Sequence, residues 1–171
     1  MLEIRRRVLG PEHPDTLESL ADLAITCLRQ RKYALAESYA TQTLAARRHV
    51  LGPEHPYTMD SMADLALAYQ SEEKFTDGER LAREAVDMNR KKRPDEWKRF
   101  KAESLLGATL SGQKRYAEGE PLLLVGYQGM LARKDRMGAP DRYDLDRARE
   151  WLVHLYEAWG KPDKAAAFRQ N

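Results

Sequence analysis

The chain has little of what enzymes and secreted scaffolds rely on. Its 171 residues include one cysteine, Cys27, so there is no internal disulfide framework, and a lone thiol suits a reducing compartment. No apolar run approaches the ~20 residues a membrane span needs. The opening stretch MLEIRRRVLG lacks the apolar core and small residues of a signal peptide. We therefore expect a cytoplasmic chain that does not enter a membrane. Alternating β-branched runs and Asn-Gly hairpin turns are missing, which argues against strands. Glycine-rich phosphate loops, HExxH and CxxC are missing as well. His13, His49, His55 and His154 are scattered, and none is spaced to serve a Ser or Cys nucleophile. The residues thus lead us to expect no enzyme, no catalytic side chain, no cofactor and no metal. Net charge is small too. Charged residues make up 33%, yet Lys+Arg 29 against Asp+Glu 27 leaves +2, so no global field draws the chain to nucleic acid or an anionic membrane.

What the sequence does have is repetition. VLGPEHP occurs at Val8–Pro14 and again at Val50–Pro56, 42 residues on, inside the longer match RRVLGPEHPDTLESLADLA and RHVLGPEHPYTMDSMADLA. Leu20, Leu23, Ala24 and Cys27 form a helical stripe, repeated as Met62, Leu65, Ala66 and Tyr69. A third copy, one residue short of the period, falls at Glu103, Leu106, Gly107 and Leu110. A fourth, after a longer insertion, falls at Arg149, Leu152, Val153 and Tyr156. Each stripe is followed by a break and a second periodic run. Tyr33, Phe75 and Tyr116 recur at the break, with small Ala36, Gly78 and Gly119 three residues later. A ring beside a small residue is what the closed end of two antiparallel helices needs. A fixed period of this kind predicts an all-α array of helix–turn–helix units.

The duplicated segment is then the joint between units. Gly ends one helix, the first Pro stops it, and the second Pro holds the preceding His out of helical geometry. Thr16, Thr58 or Asp15 is the expected cap of the following helix. Two Glu-His pairs in matching loops invite a metal reading, but each loop offers one His and no further ligand, so a stiff solvated joint is the better account.

These residues resemble the tetratricopeptide repeat family, whose first-helix signature of large residue, Leu, small residue and Tyr is met by Met62, Leu65, Ala66 and Tyr69. The lengthened joint carrying LGPEHP is similar to the kinesin light chain subtype. The ending EGEPLLLVGYQGM and LVHLYEAWGKPDKAAAFR is similar to C-terminal repeats of bacterial multidomain proteins, some of them serine/threonine kinases, although no kinase motif is present. The resemblance implies a right-handed superhelical solenoid of antiparallel hairpins. It implies a single repeat domain over 1–171, with 1–9 the second helix of a preceding repeat and about four units after it, as a fragment of a larger chain. Kinesin light chains carry Asn pairs where Ala21-Asp22 and Ala63-Asp64 stand here, so their cargo chemistry does not transfer.

In such an array the first helices line a concave side. The stripe beside the core stripe supplies the expected groove residues: Glu18, Asp22, Ile25 and Arg29, then Asp60, Asp64 and Leu67, then Lys101, and finally Arg147 and His154. Carboxylates gather in the early repeats and cations in the late ones, a polarity that favours an extended peptide or partner helix in one direction. The leading expectation is a protein-interaction scaffold. The alternative is a structural or regulatory array that self-associates or docks on a neighbouring domain through its exposed ends, with no separate ligand; the N-terminal end, where Ile4 and Val8 lie, is the expected self-associating surface. Basic clusters at 5–7, 47–49, 89–93 and 132–136 fall at ends of second helices, where cations complement exposed carbonyls. We read them so, rather than as a nucleic-acid site. Cys27, Trp97, Trp151 and Trp159 read as packing residues.

Overall fold

A computed structural model describes residues 2–169. Among the described residues there are nine α-helices and no strand: α1 Leu2–Leu9, α2 Pro14–Arg29, α3 Tyr33–Leu51, α4 Pro56–Ser71, α5 Phe75–Lys92, α6 Trp97–Gly112, α7 Tyr116–Leu131, α8 Arg142–Ala158 and α9 Pro162–Arg169. Two short 3-10 turns, Lys134–Arg136 and Ala139–Asp141, fill the longer link before α8. The chain forms two compact units, Met1–Leu81 and Ala82–Asn171, with the boundary inside α5.

The joints behave as the sequence predicts, with one correction. Gly10 and Gly52 have φ of +95° and +86°, a conformation that costs L side chains dearly. An added Cβ at either would meet nothing within 4 Å, so glycine is there for its backbone and not for space. Pro14 and Pro56 open α2 and α4, and His13 and His55 ahead of them are extended, with ψ of 140° in both. The cap, however, is the histidine. Nδ1 of His13 accepts from the Asp15 amide at 3.2 Å, and Nδ1 of His55 from the Tyr57 amide at 3.3 Å. Thr16 and Thr58 face the other way. Their hydroxyls donate back across the joint, to the Gly10 carbonyl at 2.8 Å and the Arg47 carbonyl at 3.2 Å. Each joint is thereby closed at both ends.

All four hairpin turns share one backbone device. Arg31, Glu73, Lys114 and Gly160 are left-handed, with φ between 58° and 72°. The amide one residue further on, from Lys32, Lys74, Arg115 or Lys161, donates to the carbonyl of Cys27, Tyr69, Leu110 or Tyr156 at 2.8–3.0 Å. This closing pair satisfies carbonyls that a helix end otherwise leaves open. It also puts the four first helices α2, α4, α6 and α8 in one sequence register.

Within the first unit the core runs through Leu17, Leu20, Ala24, Leu44, Met59, Met62, Leu65 and Ala66, with Cys27 among the buried residues. Gly78 lets α5 lie against the Ala66 carbonyl and the Tyr69 Cβ, both 3.4 Å from where a Cβ would stand. Within the second unit α6 and α7 approach much more closely, and a Cβ on Gly107 would stand 2.8 Å from the Gly119 carbonyl oxygen. Leu123, Leu152, Leu155, Tyr156 and Ala165 form one cluster there, with Trp151 and Trp159 packed on it. Phe100, Met130, Met137 and Ala148 form another, with Trp97 against it.

Candidate functional site

The first helices carry two kinds of side chain that sequence periodicity does not separate: those that hold the hairpins together and those left at the surface. In the first unit the decisive group is Arg47, near the end of α3 and only 4% exposed. Its Nη1 donates to Ser61 Oγ at 2.9 Å and to the Tyr57 carbonyl at 3.2 Å, while Nη2 donates to Glu18 Oε2 at 2.9 Å. Arg5, one period earlier, repeats the first half of this clamp, reaching Ser19 Oγ at 2.5 Å and the Asp15 carbonyl at 3.0 Å. The reading of 5–7 and 47–49 as plain helix-end complements is therefore corrected for Arg5 and Arg47: both are internal ties, and Arg47 is buried because Ser61, Tyr57 and Glu18 satisfy its donors. The sequence signal was available, since Arg5 and Arg47 share the spacing of Ser19 and Ser61.

Glu18 is thus engaged from within, though its side chain remains 58% exposed. Asp22, one turn on, is exposed and lines a hollow with Leu2, Glu3, Arg5, Ser19, Leu23 and Tyr39. Ile25 is half-buried and Arg29 exposed in the last turn of α2. On α4, Asp60 and Asp64 are half-buried, one turn apart. Leu67 is a correction. It is 3% exposed and cannot touch a partner, because α4 is buried over most of its circumference rather than along one stripe. The same is true of α6, where every residue from 102 to 110 is buried.

In the second unit the structure brings Lys101 and Arg147 together through a residue outside the expected stripe. Asp144 accepts Lys101 Nζ at 3.1 Å on one oxygen and Arg147 Nη1 at 3.3 Å on the other. All three side chains are less than a fifth exposed. The Arg147 guanidinium also lies 4.7 Å from the Tyr143 ring centroid and 5.9 Å from that of Trp151. His154 continues this face of α8 and is exposed. Asp144 thus holds two cations together beside two aromatic rings.

Polar ties elsewhere have visible structural work. Lys74 donates to Glu37 at 2.5 Å and lies 2.8 Å from Glu72. The Glu37 hydrogen bond, then that of Glu72, lifts its ammonium well above the ordinary lysine range. In the second unit Glu120 accepts from Lys164 at 2.7 Å and from the Tyr156 hydroxyl at 2.9 Å. Lys164 chiefly holds that carboxyl below its ordinary value, while burial and then Glu120 push Tyr156 up to about 12. Among the described residues no three His, Cys, Asp or Glu side chains gather as a metal would require. Nor is any helix there long and apolar enough to cross a membrane.

The family model of the tetratricopeptide repeat matches residues 1–49 and 30–91. The chain belongs to the tetratricopeptide repeat family. Proteins of this family are, in general, scaffolds for protein–protein interaction. Solved structures with the same fold include a kinesin light chain candidate from Podosopora anserina with nearly identical TPR-like repeats, at 21% identity and a TM-score of 0.68, covering 99% of this chain and 79% of that one. A point variant of the same protein gives 20% and 0.69, over 99% and 78%. BtubC (BKLC) from P. vanneervenii gives 17% and 0.68, over 96% and 65%. No curated protein matches the chain.

Proposed function

We propose that this tetratricopeptide repeat chain is a scaffold that captures peptide or partner-helix segments along its first helices. The observation that carries the reading is the Lys101–Asp144–Arg147 cluster. Cations at matching positions of α6 and α8 are held ready by one carboxylate and flanked by Tyr143 and Trp151. Pre-ordered cations beside aromatic surface favour an acidic segment that also carries apolar side chains, because little ordering cost remains on the protein side.

The test is fluorescence polarisation with short labelled peptides of graded charge. Acidic peptides with an aromatic residue should bind the native chain and lose most of their affinity on combined Lys101→Glu and Arg147→Glu substitution. Capture that is indifferent to both changes would sink the reading.

A further inference from the structure

One residue just past each joint of the first unit is held from both sides of its peptide. In the first joint the Asp15 amide donates to Nδ1 of His13 at 3.2 Å, while its carbonyl accepts from Arg5 Nη1 at 3.0 Å. In the second the Tyr57 amide donates to Nδ1 of His55 at 3.3 Å, and its carbonyl accepts from Arg47 Nη1 at 3.2 Å. An Nδ1 that accepts carries no proton, so both imidazoles are neutral, with the ring proton on Nε2. A second proton would fill the lone pair that the amide uses. It would also set a positive charge at the positive end of α2 or α4, next to a residue already gripped by a guanidinium. The carboxylates of the joints offset this little. Glu12 is engaged by His49 of α3 at 2.9 Å, and Asp15 and Glu54 are exposed, where water and salt screen them.

We infer that the two joints form a proton-operated catch: neutral His13 and His55 hold the first turns of α2 and α4, and mild acid releases both. An imidazole ordinarily takes its second proton near pH 6.5. The folded joints need the neutral ring and the unfolded chain does not. The unfolded chain therefore takes up more protons as pH falls, and stability falls with it. The caps contribute fully above about pH 7 and are lost toward about pH 5. The tie between His49 and Glu12 has the opposite sense, since it gains charge over the same range. Its side chains are 77% and 53% exposed, and a pair that open to water contributes little. The joints are not equal. Asp15 places a carboxylate two residues after His13, whereas His55 faces the ring of Tyr57 at 5.5 Å, so α4 should respond more strongly than α2. The second unit is the internal control. Glu96 and Asp141, ahead of α6 and α8, make no side-chain cap hydrogen bond among the described residues, and the histidine of that unit, His154, is exposed within α8. The catch is independent of the Lys101–Asp144–Arg147 cluster, so the two proposals stand or fall apart.

The experiment is amide hydrogen exchange on the intact chain, read by NMR between about pH 7.5 and about pH 5 and corrected for intrinsic rates. Protection of the α2 and α4 amides should fall about tenfold across that range, while the amides of α6 and α8 keep theirs. The combined His13→Asn and His55→Asn chain retains an acceptor at both caps that does not titrate, and its α2 and α4 protection should stay level. Nitrogen-15 spectra of the native chain give an answer that needs no variant. At about pH 7.5 both rings should show an unprotonated Nδ1 and a protonated Nε2. Four outcomes would overturn the proposal: a proton on Nδ1, steady protection of α2 and α4 in the native chain, an equal fall in α6 and α8, or an acid response that survives in the doubly substituted chain.

Discussion

Arg47 reaches from the end of α3 to Ser61 in the first turns of α4, Nη1 to Oγ at 2.9 Å, and so fixes one hairpin on the next. That buried guanidinium makes three hydrogen bonds, two from Nη1 and one from Nη2. Removing the side chain takes the guanidinium donor from Ser61 Oγ, which still donates to the Tyr57 carbonyl at 3.0 Å, and leaves Glu18 to solvent. Hydrogen bonds to a charged group contribute about 1.5–3 kcal/mol, so Arg47→Ala should lower unfolding stability by about 2–3 kcal/mol. Arg5→Ala should cost about 1 kcal/mol or less, since Arg5 is half-exposed and lacks the carboxylate. Urea titration of both variants decides it. Equal losses would show that the buried position of Arg47 carries no weight.

The left-handed turn residues give a prediction of the opposite sign. Arg31, Glu73 and Lys114 hold φ near 60° with a side chain attached, where the fourth turn uses Gly160. Glycine at each should stabilise the chain by up to about 1 kcal/mol, after allowance for the freedom it adds to the unfolded state. The turns are well separated, so the three gains should add. Gly160→Ala should cost about as much as one of them returns. Thermal melts of the single and triple variants measure this, and a drop in melting temperature for Lys114→Gly would refute it.

What could be read in advance, and what could not, follows from the physics of each signal. Gly10, Pro14, Gly52 and Pro56 act on their own backbone, so their meaning survives without knowledge of the neighbours. The core stripes likewise repeat at helical spacing wherever the helices end up. His13 and His55 were harder, because an imidazole between Glu and Pro looks like a ligand until its Nδ1 is seen facing an amide. Arg47 resembled a helix-end cation because only its partners, up to 29 residues away, reveal the clamp. Leu67 failed as a groove residue because one stripe understates how much of α4 is covered. Asp144 was missed because it lies off that stripe, one turn before Arg147.

The tie between α7, α8 and α9 predicts a pH response with two flanks. Glu120 has its carboxyl lowered in the folded chain by Lys164. Its contribution is therefore complete above the ordinary carboxylate range and is lost as pH falls through and below it. Tyr156 is shifted up to about 12. The folded chain keeps that proton longer than the unfolded one, so stability declines as pH rises from about 10, the usual tyrosine value, toward about 12. Trp159 lies 5.9 Å from Tyr116 and beside Lys161 at the α8–α9 turn, and its fluorescence reports the docking of α9. Glu120→Gln should flatten the acid flank, and an unchanged acid flank would count against the tie.

The close crossing of α6 and α7 separates two glycines that look alike in sequence. A Cβ on Gly126 would come within 2.6 Å of the Phe100 carbonyl oxygen and of the Ser104 amide nitrogen, both backbone atoms. A Cβ on Gly129 would strike the ring of Phe100, a side chain. Backbone cannot give way without moving the helix, whereas a ring can be trimmed. Gly126→Ala should therefore cost about 3 kcal/mol or more, and Ser104→Ala should not restore it. Gly129→Ala should also destabilise, but Phe100→Leu in the same chain should recover part of the loss, giving a coupling energy of about 1 kcal/mol or more in a double-mutant cycle. Denaturant titrations of the two cycles measure both couplings. If Phe100→Leu rescued Gly126→Ala as well as Gly129→Ala, the spacing of α6 and α7 would be set by that ring and not by backbone contact.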